Sequence, residues 1–143
     1  MLAGSGTQDD LTKVEQAVPL FAVADMARSL AFYVDGLGFS MTEKWEVGGM
    51  VKWCWLNIGS AAVMLQEISP KWKPQGKLGV GVSINFICRD ALALYREFRS
   101  RGVDAQRPFV GNGMWVTSLT DPDGYPLHFE SKTDAPEESQ FSD

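Results

Sequence analysis

Two short phrases recur along the chain at nearly constant spacing, and this repetition constrains the fold more than any other feature. An aspartate closes an apolar run and opens a helical pattern at Asp25 and again at Asp90, and a strand-end carboxylate follows at Glu67 and, after almost the same interval, at Glu130. Such spacing is the mark of an internal duplication. Each copy reads as βαβββ. In the first, Val18 to Val23 is a strand and Asp25 the N-cap of a helix whose apolar stripe is Met26, Leu30, Tyr33 and Leu37. Strands over Ser40 to Glu46, Met50 to Ile58 and Ala61 to Ile68 follow, joined at glycine turns. In the second, Gly81 to Cys88 is the strand, Asp90 the N-cap, and Ala91, Leu94, Tyr95 and Phe98 the stripe. Ala105 to Val110, Met114 to Thr120 and Tyr125 to Ser131 complete it. The fold class is therefore α+β, as two βαβββ modules over 16–68 and 79–131, with a Pro- and Lys-containing connector over 69–78. Residues 1–15 read as a flexible arm, and 132–143 as a solvated acidic tail.

Length and charge bound the partners. A chain of 143 residues, 45% of them hydrophobic, suits one domain. A formal charge of −5 argues against nucleic acid and anionic membranes and suits a neutral or cationic small molecule. Cys54 and Cys88 lack metal-type spacing and read as reduced thiols. No leader pattern or apolar span is evident, so a cytoplasmic location is expected.

The residues that carry chemistry cluster at the end of the second module. Asp121-Pro122-Asp123-Gly124 is strong turn chemistry, and the strand after it holds the chain's only histidine, with His128 and Glu130 on one face. On alternation, Ser83 and Asn85 look into the same space. A tight hairpin would set Thr117 opposite His128, with Trp115 on that face. In the first module a two-residue turn at Gly59-Ser60 sets Cys54 opposite Leu65 and Lys52 opposite Glu67 as cavity lining; a one-residue slip would put Trp53 and Trp55 there in place of Lys52 and Cys54.

The phrase Val23-Ala24-Asp25-Met26-Ala27-Arg28-Ser29-Leu30-Ala31-Phe32-Tyr33 running into Leu37-Gly38-Phe39, with the closing Asp121-Pro122-Asp123-Gly124-Tyr125, resembles the vicinal oxygen chelate superfamily of glyoxalases, bleomycin-resistance proteins and extradiol dioxygenases. The resemblance implies a curled eight-stranded mixed sheet around a cavity, with modules paired within one chain or across a homodimer. It also implies metal ligands, mostly His and Glu, on the first and last strands of each module. The matching positions here are Val18, Leu65, Ser83 and His128, of which only His128 is a ligand. The resemblance, taken with the missing ligand set, the acidic balance and the five tryptophans, points to a metal-free, cofactor-free binder of a drug-like aromatic or cationic molecule, and the acidic balance argues against a nucleic-acid or membrane partner. Its alternative is an enzyme of the same fold, a lyase, isomerase or dioxygenase on a small oxygenated substrate, with His128 and Glu130 as acid and base if no metal takes part.

Overall fold

The computed structural model describes residues 7–142 and shows the duplication directly. Its strands are β1 (Leu20–Val23), β2 (Ser40–Val47), β3 (Met50–Ile58), β4 (Ala61–Glu67), β5 (Ile84–Ile87), β6 (Phe109–Gly111), β7 (Met114–Thr120) and β8 (Pro126–Lys132). They form two four-stranded mixed sheets, β1-β4-β3-β2 and β5-β8-β7-β6. The eight strands are those expected, but the sheets are not joined into one closed sheet. In each, the first strand runs parallel to the last and the remaining pairs are antiparallel.

The helices are α1 (Thr7–Thr12), α2 (Met26–Leu30) and α3 (Ala91–Ser100). Asp25 and Asp90 cap the latter two as the sequence indicates, their carboxylates accepting from the amides of Arg28 at 3.1 Å and Ala93 at 2.9 Å. The stripe after α2 continues as a π-helix over Ala31–Gly36, where the wider turn sends Leu37 N–H to Phe32 C=O. No element was expected where α1 lies; residues 1–6 of the expected arm lie outside the described residues.

Packing assigns each sheet a covered and an open face. α3 lies on β7 and β8, and α2 on β4. Phe21, Val23, Cys54, Leu56, Val63 and Leu65 fill the covered face of the first sheet, and Phe86, Leu119, Leu127 and Phe129 that of the second. The two faces share one core. Phe39 meets Phe86 edge-on at 5.8 Å, Phe86 stacks on Phe129 at 4.8 Å, and Phe129 meets Phe98 at 5.1 Å.

The Asp121–Tyr125 turn fastens the second module to the first. Tyr33 donates its hydroxyl to Asp121 Oδ2 at 2.7 Å, while Asp121 Oδ1 accepts from the amides of Asp123 and Tyr125, both at 2.9 Å. Asp123 Oδ1 accepts from Ala24 N–H at 3.0 Å. The Tyr125 ring stacks on Phe21 at 4.2 Å, and its hydroxyl donates to Ala22 C=O at 3.0 Å and accepts from Ala22 N–H at 3.1 Å. Burial pushes the Tyr33 phenol and the Asp121 carboxyl above their ordinary ranges. Tyr33 therefore stays protonated and donates.

Three departures from the sequence reading have local causes. Chain turns at Gly79 and Gly81, both at φ +80°, delay β5 to Ile84, so Ser83 precedes the strand. Pro108, which has no amide to donate, stands just before β6, and the strand starts only at Phe109. The acidic tail is not a solvated appendage. It returns along β6, where Val110 N–H donates to Ser139 C=O and Phe141 N–H to Pro108 C=O, both at 2.9 Å. Phe141 then lodges between Tyr95 and Trp115 beneath the Arg96 guanidinium.

The connector also meets the fastening turn. A Cβ added at Gly79 would clash with the Gly124 carbonyl group. Gly79→Ala is expected to cost about 3 kcal/mol by chemical denaturation, since backbone must shift as well as strain. Gly59→Ala, also at positive φ but with open space around it, is expected to cost about 1 kcal/mol.

Candidate functional site

On the open face of the second sheet, β5 lies parallel to β8 with Asn85 beside His128 and Ile87 beside Glu130. A cavity of about 210 Å³ there is lined by Asn85, His128 and Glu130 together with Phe109, Asn112 and Val116. Three of the sequence-predicted residues thus come together, and Phe109 and Val116 supply apolar walls that the sequence reading missed. Ser118 and His128 Nδ1 share a hydrogen bond of 2.8 Å, which fixes the ring and leaves Nε2 without a partner among the described residues.

Thr117 does not oppose His128. The hairpin pairs Ser118 with His128 and Thr117 with Phe129. Asp121 and Tyr125 bond across the turn, Asp121 N–H to Tyr125 C=O at 3.0 Å, leaving a three-residue loop where four were expected. This changes the parity of the strand. Thr117 is buried on the covered face, donating to Ala91 C=O at 2.8 Å, and Trp115 shares that face. Ser83, outside the strand, is exposed and lines no part of this cavity.

In the first sheet the expected register is correct, with Cys54 opposite Leu65, but both side chains are fully buried on the covered face. Burial pushes the Cys54 thiol up to about 11. The reason is an offset. Met26 N–H donates to Glu67 Oε2 at 2.9 Å, and the equivalent Ala91 N–H donates to Ser131 Oγ at 2.8 Å. Glu67 therefore corresponds to Ser131 and not to Glu130, and by the same offset His128 corresponds to Met64 rather than Leu65. Lys52 also lies on the covered side, its Nζ 2.6 Å from Glu67 Oε1. Lys52 and Glu67 line a cavity of about 220 Å³ together with Trp45, Val47 and Gln66.

By alternation the open face of the first sheet carries Trp53, Trp55, Met64 and Gln66, with Trp45 and Glu43 facing them from β2. The open faces thus hold three tryptophans in one module and a histidine with a carboxylate in the other. Neither Glu43 nor Glu130 has an ion-pair partner among the described residues.

A superfamily model described as Glyoxalase/Bleomycin resistance protein/Dioxygenase superfamily matches residues 14–129. The chain belongs to this superfamily. Comparison with curated proteins finds no match. Among solved structures of the glyoxalase/bleomycin-resistance fold, TnmS3, an antibiotic binding protein from Streptomyces sp. CB03234, is similar with a TM-score of 0.63 and 20% identity, over 85% of this chain and 99% of that one. TioX from Micromonospora sp. ML1 is similar at 0.63 and 17% identity, over 84% and 100%. A glyoxalase/bleomycin resistance protein/dioxygenase from Nocardioides is similar at 0.64 and 12% identity, over 97% and 98%. At these identities the likeness establishes the shared fold.

The family's metal positions, corrected for the offset, read Val18, Met64, Ser83 and His128 here. One imidazole with an apolar Val18, a soft thioether at Met64 and a neutral hydroxyl at Ser83 does not fit a His- and Glu-type site needing three protein donors. Among the described residues, no group of three or more His, Cys, Asp or Glu side chains is placed to hold a metal ion. No helix among them is long and apolar enough to cross a membrane.

The Lys52–Glu67 pair gives the site's edge a pH signature. The Lys52 hydrogen bond, then the Met26 amide, hold the Glu67 carboxyl below its ordinary value of 4.5. A carboxyl whose pKa is lower folded than unfolded stabilises the fold above the unfolded value, and that contribution fades as pH falls through the folded one. Glu67→Gln is expected to cost about 1 kcal/mol at pH 7. In parallel urea titrations, the gap from the unaltered protein is expected to close progressively below pH 4.5.

Proposed function

We propose that this protein binds a small, drug-like molecule, partly aromatic and cationic, against its open sheet faces, without a metal. The observation that carries the reading is the open face of the first sheet, where Trp45 stands across from Trp53 and Glu43 across from Trp55. Indole faces beside carboxylates that lack cationic partners attract a flat cation through stacking, cation–π and charge together. Glu130, Asn85 and His128 offer a second set of polar contacts on the other module. The formal charge of −5 favours the same ligand class. The similarity to a protein described as antibiotic binding supports a drug-like size.

The test is a tryptophan-fluorescence titration with a panel of cationic aromatic compounds, bleomycin included. Saturable quenching is expected, with Trp55→Ala weakening the best ligand about tenfold. A panel that neither quenches nor raises the melting temperature would overturn the reading.

A second copy is proposed to cover these faces. Every residue from Ser40 to Met50 is exposed, including Trp45 at 58% and Met50 at 59%, and Leu20 on the same face as Met64 is 42% exposed. Met41, Trp45, Val47 and Met50 give this mixed hairpin an exposed apolar set that a second copy would cover. Sedimentation is expected to give a homodimer, and Trp45→Glu with Met50→Glu a monomer of unchanged fold.

The Ser118–His128 hydrogen bond favours one alternative. A ring fixed through Nδ1 presents Nε2 to the cavity, the geometry of an acid–base residue, and Glu130 lies on the same face. An enzyme working this way would lose turnover in His128→Ala while keeping its affinity for substrate.

A further inference from the structure

A separate cavity of about 470 Å³ lies where the β3–β4 turn of the first module meets the end of β5 and the start of α3. Its volume falls within the roughly 300–1,000 Å³ typical of small-molecule sites. Ile58, Phe86, Leu94 and Phe129 give it apolar walls, and all four belong to or pack on the shared core, so the surface is built before any ligand arrives. Both modules contribute. Arg89 and Cys88 line its polar side.

Arg89 is distinguished by what it lacks. Arg28 pairs with Asp123, Arg99 with Asp104 and Arg101 with Glu97, while Arg96 covers Phe141 and Arg107 bonds Gln140. Among the described residues Arg89 alone of the six arginines has no such partner. The neighbouring Asp90 carboxylate is engaged by the Ala93 amide, and Glu130 sits on the open face of the sheet. A guanidinium without a partner, beside an apolar recess in an acidic protein, is matched by a carboxylate attached to an apolar body.

We propose that this cavity binds an amphipathic monocarboxylate, its apolar part against Phe86 and Phe129 and its carboxylate on Arg89. The site shares no lining residue with the cavity at His128 and prefers the opposite charge. It stands or falls independently of the function proposed above.

Cys88 supplies a local reporter. Cys54 is fully buried, so an alkylating reagent reaches Cys88 first. The experiment measures iodoacetamide labelling of Cys88 by mass spectrometry in the full chain, with octanoate and, separately, 1-octanol. Octanoate is expected to protect Cys88 at concentrations about tenfold lower than octanol, the worth of a charge-assisted contact. Arg89→Leu, a change at an exposed position, is expected to make the two equal. Ala61→Phe, which fills the recess, is expected to abolish protection by both, with the melting temperature showing that the variant is folded. His128→Ala is expected to leave protection intact. Labelling that octanoate does not slow, or an octanoate preference that survives Arg89→Leu, would overturn the proposal.

Discussion

The buried carboxylate of Asp121 is the contact on which the arrangement of the molecule depends. It lies in the last turn of the second module, yet one of its three donors is Tyr33, from the helical segment of the first. A carboxylate taken out of water costs several kcal/mol unless its lone pairs are met, so it acts as a constraint as much as a stabiliser. The turn has to sit where the Tyr33 hydroxyl and two amides converge. Asp123 and Tyr125, on the same turn, then bond the backbone of Ala24 and Ala22, and the aromatic core closes beneath them. With the modules fixed along their covered faces, neither open face carries a helix among the described residues.

That division explains which residues are free for function. Where a helix lies, polar groups serve the fold. Glu67 and Ser131 each hold the first amide of a helix, and Thr117 holds a carbonyl of α3. Where none lies, Glu43 and Glu130 have no ion-pair partner among the described residues. With three tryptophans they form the surface on which the proposed ligand would lie. The tail contributes to the same wall: Glu137 accepts from the amides of Asn112 and Gly113 at 2.7 and 2.8 Å, holding the β6–β7 turn that borders the His128 cavity.

Much of this was legible in the sequence, because it rests on local chemistry. The Asp N-caps, the glycine turns and the alternation of the strands gave both modules, and the two-residue turn at Gly59-Ser60 gave the correct register of Cys54 with Leu65. Faces were harder to read. The interval between the modules shortens slightly from the caps to the last strands, so matching Glu67 to Glu130 instead of Ser131 shifts the comparison by a single position, and such an error in a strand reverses every side chain. It placed Leu65 and Cys54 in a cavity when they belong to the core. The same parity change moved Thr117 behind His128, because the loop length at Asp121–Tyr125 is set by contacts with the other module. The fate of Phe141 was equally hidden, since its pocket is built from α3 and β7, distant in sequence.

The central claim is that the open faces hold an organic molecule and that His128 works there without a metal. Native mass spectrometry of protein purified gently from its producing cells tests this most directly. The account predicts folded protein carrying a noncovalent organic adduct, released by collisional activation, with no stoichiometric transition metal. A full equivalent of bound zinc, manganese, nickel or iron per chain would contradict it.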